Sequence, residues 1–299
     1  MLPNLVILGA QKSASSYVQL CLAEHPDIFI PRPELPLFTD CYYEPDGVDA
    51  LAHLLPGGPF PRVFGIKAPD YLGSPEVPAR LAEHLPEARL LAILREPIAR
   101  AISAYYHFVR YAYLPLLPLN EGLTRVFDAQ PGPGFAPERA LLEYGCYASA
   151  LHRYLEHFAR DRLHVILHDD VSSDPAACYR EILEFLEVSP AELPSLRRRN
   201  EGVYSYARLR YLRAVQKVSN RVQPERNSWR YRFGLFGMGV YFLARQVDKR
   251  VLARFCAHSP DALDPDLATR LREYYRPEVA GLEEILGRDL SSWKSGGLG

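Results

Sequence analysis

The residues best suited to chemistry stand near the amino terminus, where Gln11, Lys12, Ser13, Ala14, Ser15 and Ser16 follow the apolar run Leu5–Leu8 and Gly9. A strand that turns through glycine into a hydroxyl-rich helix start is an anion cradle. Free backbone N–H groups, the positive end of the helix dipole and a lysine ammonium converge there. By shape the cradle suits a phosphate or phosphosulfate group. The nucleotide P-loop pattern puts its lysine directly after the second glycine; here Lys12 stands three residues after Gly9 and the hydroxyls follow it. The plainer alternative is an N-capped helix with an exposed lysine. A second cluster is Arg95, at the carboxyl end of an apolar run, with Ser103 eight residues on. About two helical turns separate them, so a guanidinium fork and a hydroxyl fall near one helix face and suit a phosphate monoester. Glu34 is presented on a stretch stiffened by Pro31, Pro33 and Pro36.

These groups need elements to hold them. Largely apolar runs at Leu5–Leu8, Ile28–Ile30, Val63–Lys67, Arg89–Leu94 and Leu163–Leu167 read as strands, and the stretch Arg89–Leu94 is typical of a sheet covered on both faces. Helical periodicity is expected over Tyr17–Glu24, Pro75–His84, Ile98–Val109, Leu141–Phe158, Pro175–Leu186 and Asp264–Tyr275, with a shorter helix over Pro277–Leu286. Strands alternating with helices indicate an α/β fold with a central parallel sheet flanked by helices. Arg95 then stands at the carboxyl end of a strand, where open α/β sheets bind ligands. Residues 40–62 read as irregular with one short helix, and 114–137 as a long Pro- and Gly-rich excursion, a lid or substrate loop.

A chain of 299 residues can bury a large core, and a net charge of −1 argues against bulk attraction to nucleic acid. The charge is uneven. Between Arg197 and Arg232 eleven Lys/Arg face only two acids, Glu201 and Glu225, so this segment faces something anionic, lies at a membrane surface, or is a solvated basic helix. The apolar stretch Phe233–Ala244 is too short and too glycine-punctuated to span a bilayer; it is expected as a buried helix, with a membrane surface as the other environment. The cysteines (Cys21, Cys41, Cys146, Cys178, Cys256) are odd in number and scattered, which fits reduced thiols without structural zinc. With no signal peptide legible, a cytoplasmic location is expected. No Asp/Glu/His cluster suggests a metal.

Together the two anion-binding stretches resemble the sulfotransferases that use 3′-phosphoadenosine 5′-phosphosulfate (PAPS). The turn Gly9–Ser16 looks like their 5′-phosphosulfate loop, a P-loop-like element, and Leu94–Tyr105, with Arg95, Arg100 and Ser103, is similar to their 3′-phosphate motif. The resemblance is strongest to the glycan branch, the heparan-sulfate-type enzymes and their bacterial relatives. Pro33–Phe38 takes the place of a Lys-Glu-x-x-Phe-Phe stretch, and Lys67–Tyr71 resembles Lys-x-Pro-x-Tyr. Tyr144–Tyr147, Asp174–Pro175 and the tail from Tyr274 to Trp293 are also similar. One sulfotransferase domain over 1–299 is implied, with a core over 1–195 and a basic, helical part over 196–299 completing the cofactor and acceptor sites.

The resemblance implies an enzyme of the EC 2.8.2 class, with Glu34 as general base for an acceptor hydroxyl and Lys12 stabilising the departing phosphate. Lys67 would orient Glu34 or bind an acidic acceptor. Gln11, Lys12, Ser13, Ala14, Ser15, Ser16, Arg95 and Ser103 would hold PAPS without a metal, and Asn200–Tyr204 is the candidate for a further cofactor loop, with Tyr204 as its contact. The acceptor would be a carbohydrate, glycolipid or small metabolite. His107, one turn beyond Ser103, is the alternative base. Three departures stand out. Ala14 replaces a usual glycine, harmless if helical but costly if its φ is positive, and Ser15 and Ser16 replace threonines. Pro36 and Leu37 stand where glycan enzymes often carry His and Phe. The competing readings are a P-loop kinase-like phosphotransferase and a non-catalytic nucleotide-binding relative.

Overall fold

A computed structural model describes residues 1–55, 60–129, 136–195, 204–223, 228–231, 234–256 and 261–295. The chain packs as two compact units. The first comprises Met1–Arg100, Tyr144–Arg199 and Tyr275–Gly299; the second comprises Ala101–Glu143 and Asn200–Tyr274.

The first unit is built on the expected sheet. Its strands are β1 (Leu5–Gly9), β2 (Ile28–Phe29), β3 (Val63–Lys67), β4 (Arg89–Leu94) and β5 (Leu163–Leu167), ordered β2-β3-β1-β4-β5 and all parallel. Every residue of β1 and β3 is buried, as strands covered on both faces are, including Lys67 at the end of β3. Helices α1 (Ser15–Leu22) and α8 (Pro175–Phe185) cover the sheet. Val18, Cys21 and Leu22 of α1 and Tyr179, Ile182 and Leu183 of α8 pack into one core with Leu5, Ile7, Leu91, Ile93 and Ile166. Strand placement reverses direction about β1. The chain fills one side of it with β2 and β3, then crosses to the other for β4. That is the topological switch at which open α/β sheets form their ligand crevice, beyond the carboxyl ends of the strands.

Helix α2 (Val77–His84) precedes β4, and α3 (Pro97–Arg110), whose residues from Ala101 on belong to the second unit, follows it. Pro97 opens α3 while Glu96 caps it, accepting from the amides of Ile98 (2.9 Å) and Ala99 (2.5 Å). Burial holds the Glu96 carboxyl above the usual carboxylate range despite those bonds. The expected single helix over Leu141–Phe158 is instead two, α5 (Pro137–Glu143) and α6 (Tyr147–Leu155). The break leaves the helical region at Cys146 (φ −81°, ψ 73°) and seats two tyrosines. Tyr144 packs against Gly73, where a Cβ would lie 2.1 Å from its ring, and Tyr275 packs against Gly145, where a Cβ would lie 2.8 Å away.

The excursion at 114–137 is not a structureless loop. It contains α4 (Leu119–Asp128), which buries Leu119, Leu123 and Val126 on one face. Short α7 (His168–Ser173) precedes α8. In the second unit α9 (Tyr206–Ser219) leads to the antiparallel pair β6 (Asn220–Gln223) and β7 (Ser228–Tyr231). Next come α10 (Gly234–Val247), a π-helical turn over Asp248–Leu252, and α11 (Ala253–Phe255). This stretch is not the buried helix its composition suggests: Leu235, Phe236, Phe242, Leu243 and Phe255 are exposed. Buried Leu209 and Leu212 of α9 and Ala244 of α10 pack the inner faces instead.

The two helices expected near the carboxyl terminus are one, α12 (Pro265–Leu286), continuous through Pro277. Proline interrupts one intrahelical hydrogen bond, but Tyr275, Val279 and Leu282 are buried beside it, and tertiary packing carries the helix through. Last comes α13 (Ser291–Ser295). Among the described residues no helix is long and apolar enough to cross a membrane.

Candidate functional site

The site grows from the carboxyl ends of β1, β3 and β4. Gly9 ends β1 with φ +123°, and a Cβ there would lie 2.5 Å from the Pro69 carbonyl oxygen, so the turn accepts only glycine. The loop is then pinned on both sides. The Ala10 amide donates to the Ile93 carbonyl of β4 (2.7 Å), and the Leu72 amide donates to the Leu8 carbonyl (3.0 Å). Gln11 is buried and donates from Nε2 to Asp70 Oδ1 (3.3 Å).

Lys12 and Ala14 both take left-handed backbone, at φ +70° and +68°. Such alternation turns successive N–H groups toward one concave side, the geometry of an anion nest. Ala14 is also the N-cap of α1 and has no side-chain oxygen, so no side chain caps the helix. The amides of Ser15 and Ser16 open α1 without intrahelical acceptors. Alanine at this cap costs the helix its usual Ser, Thr, Asp or Asn bond and leaves the dipole end to an anion from elsewhere. Of the two cases left open for Ala14, harmless if helical and costly at positive φ, the structure shows the second. Ser13 is fully buried beneath the loop, and Ser15 is nearly so.

Lys67 closes β3. It is 1% exposed, and its Nζ donates to Glu34 Oε1 (2.6 Å) and Ser16 Oγ (3.0 Å). One buried ammonium therefore joins a carboxylate on the proline loop to the first turn of the cradle helix. Glu34 itself is 49% exposed, so its carboxylate combines a buried partner with an open side. Three contacts fix its loop. The Leu35 amide donates to the Lys67 carbonyl (2.9 Å), Gln19 Nε2 donates to the Pro31 carbonyl (2.7 Å), and the Tyr71 hydroxyl donates to the Leu35 carbonyl. Tyr71 is buried, and desolvation raises its phenol above the ordinary range. The buried Tyr154 hydroxyl in turn donates to the Tyr71 carbonyl (2.8 Å).

Arg95 follows β4, and its guanidinium donates to the Lys12 carbonyl across 3.4 Å. The Tyr147 hydroxyl braces it by donating to the Arg95 carbonyl (2.9 Å), and burial pushes that phenol up to about 12. The sequence-based candidates Gln11, Lys12, Ser13, Ala14, Ser15, Ser16, Glu34, Lys67 and Arg95 thus share one end of one sheet. Ser103 and Tyr204 belong to the second unit. Ser103 is buried on α3, while the Tyr204 ring meets Tyr106 edge-on at 5.1 Å between centroids. The rest of the loop Asn200–Tyr204 lies outside the described residues. His107, the alternative base, packs its ring on Tyr111 at 4.7 Å.

Supporting residues escaped the sequence reading. Asp70, Tyr71 and Tyr147 stood inside quoted motifs but were given no role, and nothing marked Gln19 or Tyr154. Their function is to hold other groups, which becomes visible only once long-range partners are known.

The donor set fits a phosphosulfate: an ammonium, an arginine, serine hydroxyls and open amides, gathered where a polyanion gains most from them. The family model described as "Sulfotransferase domain" matches residues 59–227. Over 185 residues the chain is 27% identical to mouse heparan sulfate glucosamine 3-O-sulfotransferase 3B1, covering 62% of this chain and 46% of that protein. It is 30% identical over 204 residues to mouse bifunctional heparan sulfate N-deacetylase/N-sulfotransferase 4, covering 63% of this chain and 23% of that protein. The chain therefore spans about half, or less, of the length of these curated relatives. Among solved structures it is similar to a sulfotransferase from Alicyclobacillus acidocaldarius, with 25% identity and a TM-score of 0.66, covering 98% of this chain and 99% of that one.

Proposed function

This chain belongs to the sulfotransferase family, and from that premise we propose that it moves a sulfuryl group from PAPS to a hydroxyl on a carbohydrate, glycolipid or small metabolite. The observation that carries the reading is the link from Glu34 through Lys67 to Ser16. It ties a proton acceptor to the start of an anion-binding helix. Bound PAPS supplies an activated sulfuryl group on a phosphate leaving group. Lys12 and the amides of Ser15 and Ser16 neutralise the charge that develops on the bridging phosphate oxygen, preorganised stabilisation of the kind that dominates such reactions. Arg95, and on its sequence motif Ser103, bind the 3′-phosphate. Tyr204 is proposed as a further cofactor contact on the same footing.

Glu34 accepts the acceptor's proton at a carboxylate oxygen as the new oxygen–sulfur bond forms and the old one breaks. Lys67 is the residue that orients Glu34. Its bond to Oε1 holds one carboxylate oxygen, and the side chain's half-exposure leaves the carboxylate accessible to an acceptor. A glycan acceptor is supported by the names of the mouse relatives, both heparan sulfate enzymes. A cytoplasmic setting is supported by five free thiols.

The test is turnover of labelled PAPS with a panel of glycans, glycolipids and phenols, comparing the parent chain with Glu34→Gln. Loss of at least about a hundredfold in turnover is expected, with binding of PAP, the desulfated product, unchanged by thermal shift. Stabilisation by ATP and magnesium but not by PAP would overturn the reading in favour of a phosphotransferase. PAP binding with no turnover on any acceptor would leave a nucleotide-binding relative.

A further inference from the structure

The surface of the second unit carries a feature that sulfuryl transfer does not use. From Gly234 to Cys256 the outer face of α10, the π-helical turn and α11 is open to solvent. Leu235 is 81% exposed, Phe236 73%, Phe242 64%, Leu243 66% and Phe255 83%, with Met238, Val247 and Val251 also exposed. Isolated exposed apolar side chains are ordinary, but a run along one helical stretch is not. The buried side of the same stretch is marked by Gly237, Ala244 and Asp248.

Charge decides what covers this face. The stretch contains Arg245, Lys249, Arg250 and Arg254 against a single acid, Asp248. Asp248 is 1% exposed and turned inward to Arg208, which donates to both its oxygens at 2.8 and 3.1 Å. The only negative charge is thus consumed internally, while Lys249, Arg250 and Arg254 stay exposed. The apolar residues crowd the first half and the cations the second, with Val251 and Phe255 among them. Arg213 of the neighbouring α9 is likewise turned inward, to the carbonyls of Val109 (2.6 Å) and Leu114 (2.5 Å). The cations divide into those that hold the unit together and those left facing solvent.

We propose that the outer face of residues 234–255 is a membrane-docking surface for a bilayer with anionic headgroups. Phe236, Phe242 and Leu243 enter the boundary between headgroups and acyl chains, while Lys249, Arg250 and Arg254 lie against the lipid phosphates. An amphipathic helix lying in the interface has this composition: aromatic and aliphatic residues for the acyl boundary, Lys and Arg for anionic lipid. A second copy of the chain would bring the same cations against each other in an isologous contact, so charge favours lipid over self-association. The proposal is independent of the transfer chemistry.

The full chain is floated with vesicles of phosphatidylcholine alone and of phosphatidylcholine mixed with phosphatidylglycerol. It is expected to partition onto the mixed vesicles and not the neutral ones, and to come off in high salt. Each cation near an anionic surface strengthens partition roughly fivefold, so Lys249→Gln/Arg250→Gln/Arg254→Gln should weaken it by about a hundredfold. The variant Leu235→Ser/Phe236→Ser/Phe242→Ser should abolish it with an unchanged far-UV melting curve, because these side chains are exposed. Failure to bind the mixed vesicles, equal binding to neutral ones, or binding unaffected by either variant would overturn the proposal. So would a dimer in size-exclusion chromatography that the serine variant dissociates.

Discussion

Replacing Ala14 by glycine should make this protein more stable, against the usual effect of glycine at a helix terminus. Ala14 sits at φ +68° and ψ 12° as the N-cap of α1. A left-handed conformation costs an L-residue about 1–2 kcal/mol through crowding of Cβ against the backbone. Glycine removes that crowding but gives the unfolded chain more freedom to lose, a cost of about 0.5–1 kcal/mol. The difference favours Ala14→Gly by about 0.5–1 kcal/mol. For a chain of this size that raises the melting temperature by about 1–3 °C. Ser15→Gly, one position on and inside the helix, should instead lower stability by about 0.5–1 kcal/mol, because no strain is relieved there. Denaturant titration of both variants against the parent reads the two signs directly. If Ala14→Gly destabilised the protein as much as Ser15→Gly did, residue 14 would be an ordinary helical position, and the strained-cradle reasoning would fall.

Lys67 and Glu34 should respond unequally to removal. Glu34→Ala leaves a buried ammonium with Ser16 as its remaining side-chain acceptor and should cost about 1–3 kcal/mol, less than a fully buried pair because Glu34 is half-exposed. Lys67→Met removes the buried charge itself and should change stability by no more than about 1 kcal/mol, while turnover falls as Glu34 loses the bond that holds one carboxylate oxygen; equal destabilisation by both would refute the asymmetry. Asp170 accepts both guanidinium nitrogens of Arg288, which holds its carboxyl below the usual range. Its contribution to stability is present above the unfolded carboxylate value of about 3.9 and lost as pH falls through the depressed folded value. Melting curves taken into acid should therefore fall less steeply for Asp170→Asn than for the parent, and parallel curves would sink the assignment.

The sheet was legible because each parallel strand is a short, mostly apolar run, and all five stand where those runs do. The turn from β1 into α1, the proposed anion cradle, was legible because its residue types cluster in sequence. What stayed hidden depended on partners far along the chain. The periodicity of 141–158 hides the break at Gly145, whose missing side chain makes room for Tyr275, 130 residues away by the numbering. Pro277 reads as a terminator, yet buried neighbours carry α12 through it. The apolar run after Phe233 reads as core because composition cannot tell inward from outward. The hydrogen bond from Lys67 to Glu34 joins the end of β3 to a loop 33 residues earlier, and only the register of Leu35 beside β3 reveals it.

Where backbone strain falls separates function from architecture in this chain. Among the described residues four non-glycine residues have positive φ: Lys12, Ala14, Ala112 and Glu187. Ala112 and Glu187 each stand just past a helix. The amides after them reach back to Phe108 and Leu183 (Tyr113, 2.9 Å; Val188, 3.1 Å), and their own amides to Val109 and Glu184. That pattern satisfies the orphan carbonyls at a helix end, so the left-handed residue is explained by the termination alone. Lys12 and Ala14 precede a helix, where termination requires no such conformation, and their strain brings no capping side chain in return. It lies beside a second cost, the burial of the Lys67 ammonium at the same end of the sheet. Residues held in unfavourable states persist where the surrounding structure over-determines them, and they concentrate where a ligand must be met. On the proposed function, an anion that takes the amides of Ser15 and Ser16 would offset the strain at Lys12 and Ala14, beside the Lys67–Glu34 pair.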